Sequence, residues 1–306
     1  MKRVLNIGSI NIDYVYKVAH FLRAGETLEA DQRDIFMGGK GLNQTIAATR
    51  SGLSVTHCGA IGEDGRFLYD FMEKSGVDVR FLKIDEKAAS GHTVIQVAPD
   101  GENAILYFAG TNHTIDKETI MKALDDCSAG DFLLLQNEVN NVGFALQEAK
   151  KRNLFTVFNP APYSPDVLTY PLHLVDALIV NETEAQGILG CSATDPDQLL
   201  DELRVRFPQA LLFLTLGARG MSCDVPAEKT RMHFKAFKVK AVDTTGAGDT
   251  FVGYAMKAVM AYFGDEGIEK FKDFINQAML AAAVSVTRQG AVASIPTIDK
   301  LHQYQE

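Results

Sequence analysis

The chain has 306 residues, of which 46% are hydrophobic and 23% are charged, and these proportions exclude a disordered, collagen-like or coiled-coil protein. The uninterrupted apolar runs are far shorter than the roughly 20 residues that span a bilayer, so no membrane segment is predicted. Thirty basic residues against 39 acidic residues give a net charge of −9, which disfavours a nucleic acid as the partner.

The amino terminus and the cysteines together predict a cytoplasmic protein. Polar residues between Asn6 and Asp13 interrupt the apolar stretch that a secretory signal requires. The cysteines lack both a C-x-x-C pair and a nearby histidine at zinc spacing, so neither a disulfide framework nor a structural metal is predicted. These cysteines are Cys58, Cys127, Cys191 and Cys223.

Short β-rich apolar runs alternate with longer amphipathic segments, which is the pattern of a parallel sheet with crossover helices. The predicted fold class is therefore α/β, and no repeat or linker divides residues 1–306, which predicts a single domain. Ligands of open parallel sheets bind beyond the carboxyl ends of the strands. Buried strands are predicted at residues 4–9, 55–60, 132–136, 154–159, 177–181 and 211–216.

Two segments interrupt this alternation. Residues 13–37 lack helical periodicity and contain an extended run at 27–36. Residues 91–109 predict two strands, 92–98 and 103–108, joined by a Pro-Asp-Gly turn. The two segments are predicted to form a small second sheet, which would be a lid if it covered the carboxyl ends of the main strands. A peripheral extension without function has the same pattern.

A polar pair follows the first predicted strand. Asn11 and Asp13 stand two residues apart and share one side of an extended chain, so both could hydrogen-bond the hydroxyls of one sugar. A short polar loop would have the same composition. The stretch lacks the G-x-G-x-x-G spacing of a dinucleotide-binding strand, which counts against a nicotinamide-dependent dehydrogenase.

A glycine cluster at residues 38–41 opens a helix that is predicted to run through Thr49. It lacks the spacing of a phosphate-binding P-loop, because Lys40 is followed by glycine instead of serine or threonine. Closely spaced glycines let a ligand approach the backbone, and Lys40 and Asn43 offer donors to a polyhydroxylated substrate. The alternative is an ordinary helix start with a solvated lysine.

The most informative segment is residues 243–250, in which Gly246, Ala247 and Gly248 precede Asp249 and a helix-forming run. At a helix start, these small residues would leave backbone N–H groups free to bind an anion such as a transferring phosphoryl group. Asp249 would then lie in the first helical turn, where it could accept the proton of an attacking hydroxyl. The alternative is that Asp249 only complements the helix dipole.

Residues 38–43 and 243–249 resemble, in this order, the two signatures of the PfkB family of carbohydrate kinases, the ribokinase-like kinases. This resemblance covers essentially the whole chain. It implies a three-layer core with a mostly parallel sheet flanked by helices, a β-sheet lid at about 13–37 and 91–109, and a homodimer joined through the lids. Further similar segments are residues 8–13, 159–162, 181–185, 215–220 and 286–291.

The resemblance also implies an activity, with ATP and a small sugar as the ligands. It implies transfer of the ATP γ-phosphoryl group to the primary hydroxyl of a pentose, above all D-ribose, with Asp249 as the catalytic base. Deoxyribose, a ketose, a sugar acid and a nucleoside stay as alternative substrates, and a non-catalytic sensor stays as an alternative function. The implied sugar ligands are Asn11, Asp13, Gly39, Lys40, Asn43 and Glu138, beside Asp249.

For the nucleotide and its ions, Asn181 and Glu184 match the family's N-x-x-E motif, which acts on magnesium through water. Met279 stands where many members have Asn or His near the adenine, and Asn137 departs from the apolar residue expected beside Glu138. The implied ATP site is Thr215, Leu216, Gly217, Ala218, Arg219 and Gly220, with Gly248 closing the phosphate pocket. The implied potassium site, formed mainly by backbone oxygens, is Asp243, Thr245, Ser285, Arg288, Gly290 and Ser294.

Overall fold

The computed structural model describes residues 2–304 and has two sheets. The strands are β1 (Val4–Ile7), β2 (Asn11–Lys17), β3 (Gln32–Gly38), β4 (Val55–Gly62), β5 (Asp78–Asp85), β6 (Gly91–Val97), β7 (Asn103–Phe108), β8 (Phe132–Leu135), β9 (Phe155–Phe158), β10 (Ala177–Asn181), β11 (Leu211–Thr215), β12 (Met221–Val225) and β13 (Thr230–Phe234). The helices are α1 (Lys40–Arg50), α2 (Arg66–Lys74), α3 (Lys117–Asp125), α4 (Val142–Lys151), α5 (Glu182–Leu189), α6 (Pro196–Arg206), α7 (Ala247–Phe263), α8 (Ile268–Ser285), α9 (Ala291–Ser294) and α10 (Ile298–His302).

The larger sheet has the strand order β13-β12-β11-β10-β9-β8-β1-β4-β5. Its pairs are parallel except for β11 with β12 and β12 with β13, which are antiparallel. The α/β class with a mostly parallel sheet is therefore confirmed. Because the strands from β5 to β11 run the same way, their carboxyl ends share one edge of the sheet, where ligands of such folds bind.

Each buried strand has apolar side chains on both faces, and helices cover each face. In β10, Ile179 packs into the core under α1, α2, α7 and α8, whereas Leu178 and Val180 pack into the core under α3 to α6. Alternation of side chains along a strand explains this division. The result is a three-layer core, as the resemblance implied. No helix within residues 2–304 is long and apolar enough to cross a membrane.

The helices α1 and α7 approach closely at Gly253. A Cβ atom at this position would lie 2.4 Å from Cβ of Ala47 and 2.6 Å from the backbone oxygen of Gln44. No side chain larger than hydrogen fits between the two backbones. This contact brings the first turn of α1, with Lys40 and Asn43, next to the first turn of α7, with Asp249.

The smaller sheet has the order β3-β2-β6-β7 and is formed by the two segments that interrupt the α/β alternation. The turn between β6 and β7 is the predicted one, and a 2.9 Å hydrogen bond from the Gly101 amide to the Ala98 oxygen closes it. The extended run predicted from residue 27 becomes a strand only at Gln32. The reason is that pairing with β2 ends at Lys17, which faces Gln32.

All of the predicted buried strands are present, with ends that differ by at most two residues. Strands β5, β12 and β13 were not predicted. β5 and β13 are the edge strands of this sheet, and β12 lies between β13 and β11. Polar residues interrupt the apolar ones in all three, so they lack the continuous apolar run of a buried strand. The single domain over residues 1–306 stays a prediction, and residues 1, 305 and 306 lie outside the described chain.

Candidate active site

The glycine cluster at the start of α1 packs directly on the turn that follows β1. Gly39 has a φ of 93°, and a Cβ atom at Gly41 would lie 2.3 Å from the backbone nitrogen of Ser9. Glycine is required at both positions, the first for its conformation and the second for its lack of a side chain. The cluster thus has a packing role, and it holds Lys40 and Asn43 at the edge of the sheet.

Glu138 links this turn to the segment after β8. Its Oε2 accepts hydrogen bonds from Ser9 Oγ at 2.5 Å and from the Lys40 backbone nitrogen at 3.0 Å. Burial raises the pKa of the Glu138 carboxyl, although the positive charge of Lys40 acts against this shift. Glu138 and Lys40 were predicted from the sequence, whereas Ser9 was not. The only sequence signal for Ser9 is its place in the similar segment at residues 8–13.

The two polar residues of β2 lie where the small sheet meets the core. Asp13 accepts a 2.6 Å hydrogen bond from Thr93 Oγ1, and the Asn11 side-chain oxygen accepts a 2.7 Å hydrogen bond from Asn112 Nδ2. Burial raises the pKa of Asp13. Thr93 and Asn112 come from the second lid segment and the turn after it, so only the paired sheet brings them here.

The first turn of α7 has the geometry predicted for an anion site. Gly246 caps the helix with a φ of 75°, and the first backbone bond of the turn joins the Thr250 nitrogen to the Gly246 oxygen at 2.8 Å. The Gly248 and Asp249 amides therefore have no backbone partner. A Cβ atom at Gly248 would meet nothing within 4 Å, so the space beside this turn is open.

The Asp249 side chain is buried, and α1 holds both of its oxygens. Oδ2 accepts from Asn43 Nδ2 and Oδ1 accepts from Gln44 Nε2, each at 2.9 Å. A helix-dipole role alone would leave this carboxylate in solvent at the helix end. Instead it lies in a cavity of about 140 Å³, which it shares with Lys40, Asn181, Glu184, Gly246 and Gly248.

Lys40 is the cation of this cavity. The negative charge of Asp249 raises the pKa of Lys40, and Glu138 and Glu184 add to the effect, whereas burial opposes it. The side chain is half-buried, so the alternative of a freely solvated lysine at a helix start does not describe it. An ammonium group among several carboxylates is well placed to meet the anionic part of a ligand.

Asn181 and Glu184 form a capping box at the start of α5. The Asn181 side-chain oxygen accepts from the Glu184 backbone nitrogen at 2.8 Å, and Glu184 Oε2 accepts from the Asn181 backbone nitrogen at 3.0 Å. Burial raises the pKa of Glu184. The box orients the carboxylate toward the cavity, where a cation would offset the burial of its charge.

A larger cavity of about 510 Å³ opens beside the first and shares Thr215 and Gly248 with it. Gly217, Ala218, Gly220 and Met279 line this cavity as predicted. Leu216 instead packs against the core, and Arg219 forms an ion pair with Glu182 at 2.5 Å, so neither side chain lines it. Lining residues that the sequence analysis missed are Ala236, Phe237, Lys238, Val239, Ala241, Phe251, Ala282, Ala283 and Val286.

The residues predicted for potassium lie in two neighbouring loops and at the ends of α8 and α9. Asp243 accepts hydrogen bonds from the Thr245 and Gly290 backbone nitrogens, each at 2.9 Å, and so ties the loop before α7 to the loop before α9. The hydroxyls of Ser285 and Ser294 donate to backbone oxygens of their own helical turns. The Arg288 amide donates to the Ser285 oxygen at 3.2 Å. Side chains alone therefore do not define a cation site here.

The profile of the family described as "pfkB family carbohydrate kinase" matches residues 1–298. The chain belongs to this family. It is therefore a carbohydrate kinase, an enzyme that transfers phosphoryl groups from ATP to sugars. The small sheet, the glycine cluster of α1 and Asp249 after the α7 glycines all lie within the matched residues.

Individual relatives in the family are named for pentose kinases. The chain is 34% identical to "Ribokinase" of Haemophilus influenzae over 100% of this chain and 99% of that protein. It is 29% identical to "Deoxyribokinase" of Salmonella typhi over 97% of each chain. The crystal structure of ribokinase from Cryptococcus neoformans var. grubii serotype A in complex with ADP is 32% identical, with a TM-score of 0.85 over 99% of this chain and 100% of that chain.

Asn137, which departs from the expected family residue, does not enter the sugar site. Its Nδ2 donates to the Pro162 backbone oxygen at 2.8 Å, and its Oδ1 accepts from the Tyr170 hydroxyl at 2.9 Å. The side chain therefore fastens the loop after β9, on the side of the backbone away from Glu138. Asn137 therefore gives no information about which substrate this carbohydrate kinase binds.

Proposed function

We propose that this kinase phosphorylates the primary hydroxyl of D-ribose and releases D-ribose 5-phosphate and ADP. The observation that carries the proposal is the position of Asp249. Its buried carboxylate lies directly after the unpaired Gly248 amide, where the two cavities meet, and beside Lys40 and Asn43. Relatives named ribokinase cover the whole chain, which supports a pentose over a larger sugar.

The sugar is proposed to bind between the lid and the first turn of α1. Carboxylates and amides pair well with hydroxyl groups, and a buried polar group left unpaired by a poorer sugar costs about 1–3 kcal/mol. One buried oxygen, Oδ1 of Asn43, has no hydrogen-bond partner among the described residues and is free to accept a sugar hydroxyl. The proposed ligands are Asn11, Asp13, Gly39, Lys40, Asn43 and Glu138.

In the proposed reaction, Asp249 accepts the proton of the primary hydroxyl as its oxygen attacks the γ-phosphorus in line. The proposed donors to the phosphoryl oxygens on which charge develops are the Gly246, Ala247 and Gly248 amides, of which the Ala247 amide also donates to the Thr244 oxygen at 3.3 Å, and Lys40 adds a positive charge. The larger cavity, apolar over much of its wall, takes the adenosine of ATP, with Met279 packing against the base.

Magnesium fits this site, because Glu184 offers a buried carboxylate whose charge is offset in part by the Asn181 amide and by Lys40. The residues that would hold it are Glu184 and Asn181, mainly through water, together with the ATP phosphates. The bound ion supplies charge that offsets the negative phosphates. Potassium, for which the proposed ligands are backbone oxygens of the loops tied by Asp243, is proposed as an activator.

The lid is proposed to close over the bound sugar and to exclude water that would otherwise receive the phosphoryl group. A homodimer through the lids is also proposed. Its support is an exposed apolar surface on one face of the lid sheet, made of Ile35, Leu106 and Phe108. Unpaired apolar surface on a monomer of this kind marks an interaction site.

A coupled assay of ADP release with a panel of sugars tests the proposed function. We expect the highest kcat/KM with D-ribose, compared with 2-deoxyribose, a ketose, a sugar acid and a nucleoside. Activity with one of the other sugars and none with ribose would contradict the ribose assignment but keep the kinase. Binding of ribose and ATP without ADP release from any sugar would support the sensor.

A further inference from the structure

A row of buried side-chain amides connects Asp249 to the interior of the large sheet. Gln44 Nε2 donates one hydrogen bond to Asp249 Oδ1 at 2.9 Å and a second to Asn159 Oδ1 at 3.0 Å. Asn159 Nδ2 donates in turn to the Ile179 backbone oxygen at 2.8 Å. Both hydrogens of the Gln44 amide are therefore taken, one by Asp249 on α7 and one by Asn159, the residue after β9, which β10 holds in place.

Gln136, at the end of β8, sets the orientation of the Gln44 amide from the other side. Its Nε2 donates to Gln44 Oε1 at 2.7 Å and to Asn6 Oδ1 at 3.1 Å. If the Gln136 amide were turned over, its oxygen would face two acceptor oxygens. The Gln136 side chain is fully buried, and its own oxygen has no partner among the described residues.

An unpaired buried oxygen costs free energy that an apolar residue at position 136 would avoid. The oxygen of Gln136 lies against Gly8, where a Cβ atom would come within 2.5 Å of it. Leu or Met would remove this unpaired oxygen, but it would leave Asn6 Oδ1 and Gln44 Oε1 without the donor they have now. The contribution of Gln136 therefore comes from its N–H groups, one of which orients Gln44.

The row continues to a histidine that carries no charge at neutral pH. Asn6 Nδ2 donates to Thr45 Oγ1 at 2.8 Å, and Thr45 Oγ1 lies 2.8 Å from His57 Nδ1. Burial lowers the pKa of His57 to about 4. Its Nε2 faces the Gly8 backbone oxygen at 3.2 Å, which can only accept, so Nε2 carries the hydrogen and Nδ1 accepts from Thr45.

We infer that Gln44 is a positioning residue for the Asp249 carboxylate, and that Gln136 acts through Gln44. The inference rests on the proposed role of Asp249 as the base. Gln44 holds Oδ1 and Asn43 holds Oδ2, and each oxygen keeps a lone pair for the sugar hydroxyl. Because Gln136 donates to Gln44 and Gln44 donates to Asp249, the Gln44 amide is held in one orientation, and it fixes the carboxylate without a charged neighbour at these contacts.

The variants Gln44→Met and Gln136→Met keep the size of the side chain and remove its N–H groups. We expect kcat to fall about tenfold or more in Gln44→Met and less in Gln136→Met, with smaller changes in KM for sugar and ATP. Gln186→Met is the matched control, since Gln186 Nε2 donates only to the Ala193 oxygen at 2.7 Å, away from Asp249. Its kcat should be unchanged.

A double-mutant cycle separates positioning from a general structural effect. In an Asp249→Asn background, Gln44→Met should cause little further loss of kcat, because it acts through a carboxylate that is no longer there. An equal fractional loss in both backgrounds, or an unchanged kcat in Gln44→Met itself, would overturn the inference. If Gln44→Met does not fold, the same double-mutant cycle is measured with Gln136→Met and Asp249→Asn, and the same outcomes support or overturn the inference. An Asp249→Asn enzyme with full turnover would refute the proposed base instead.

Discussion

The Asn43 side-chain nitrogen lies 2.9 Å from Oδ2 of Asp249, although 206 residues separate them in the chain. This hydrogen bond joins the first turns of α1 and α7. The first turn of α1 carries proposed sugar ligands, and the first turn of α7 carries the unpaired amides proposed for the phosphoryl group. A rotation of either helix would separate the acid from the sugar, so the close packing of α1 and α7 at Gly253 is part of the site.

Asp249→Asn tests the proposed base. We expect kcat to fall by about 10²–10⁴, because asparagine cannot accept the hydroxyl proton, whereas the affinity for ADP stays within about threefold. Single-turnover assays with ATP and ribose, together with calorimetric ADP binding, measure the two effects. Asp265→Asn, on an exposed turn after α7, is the control. Full turnover in the Asp249 variant would remove this residue from the reaction.

Asp13→Asn should raise stability while it weakens sugar binding. Because the pKa of Asp13 is raised in the folded state, its ionised form destabilises the fold above that pKa, and the cost disappears below the ordinary value of about 3.9. We expect the melting temperature at pH 7 to rise by about 2 °C or more and the gain to vanish in acid.

The sugar KM of Asp13→Asn should rise at the same time, since a proposed hydroxyl acceptor is lost. Thermal melts at several pH values and steady-state kinetics measure the two changes. The exposed Asp31, whose side chain has no hydrogen bond among the described residues, offers Asp31→Asn as the control. A lower melting temperature for Asp13→Asn at pH 7 would contradict the sign of the effect.

Gly248→Ala and Gly41→Ala separate a site glycine from a packing glycine. A methyl group at Gly248 meets no atom within 4 Å, so stability should change by less than about 0.5 kcal/mol. It would enter the proposed path of the phosphoryl group, and we expect kcat/KM for ATP to fall about a hundredfold.

At Gly41 the methyl group would lie 2.3 Å from backbone atoms of Ser9, and we expect a loss of about 3 kcal/mol in the free energy of unfolding. Urea unfolding and initial rates with varied ATP test both variants. Equal stability losses in the two variants would contradict the distinction between them.

Leu106→Lys tests the proposed lid dimer. Leu106 is 70% exposed on the edge strand of the lid sheet, so a lysine there should not disturb the fold but should prevent apolar contact between two lids. Sedimentation velocity should show a dimer for the unchanged protein and a monomer for the variant. Val205→Lys, on a residue that is 83% exposed in α6, should leave the dimer intact. A monomeric unchanged protein would refute the proposal.

The fold class and the order of the site elements were predictable from the sequence because their signals are local. Buried strands such as β10 are short continuous apolar runs, and a helix start with Gly246 and Gly248 before Asp249 is a contiguous pattern. The edge strand β13 and its neighbour β12 were missed for the same reason. Their pairing depends on a partner strand, and their own residues are half apolar and half polar.

Side-chain directions, by contrast, were settled only in three dimensions. Asn137 stands next to Glu138 in the chain but faces the opposite way, and Arg219 lies in a nucleotide motif but pairs with Glu182 on the surface. Asn137 lies in the bend after β8 and Arg219 lies in a short 3-10 helix, and at such positions the surrounding packing decides which side chain faces a ligand.

The amino-acid sequence by itself determined the α/β core, the glycine turns and the identity of the acid, since each depends on residues that are close in the chain. The tertiary structure alone decided that the Asn43 and Gln44 amides hold Asp249 and that Ser9 holds Glu138. Such contacts join side chains that are far apart in the sequence. Their geometry follows from how closely two helices and a sheet edge can pack, which no local pattern encodes.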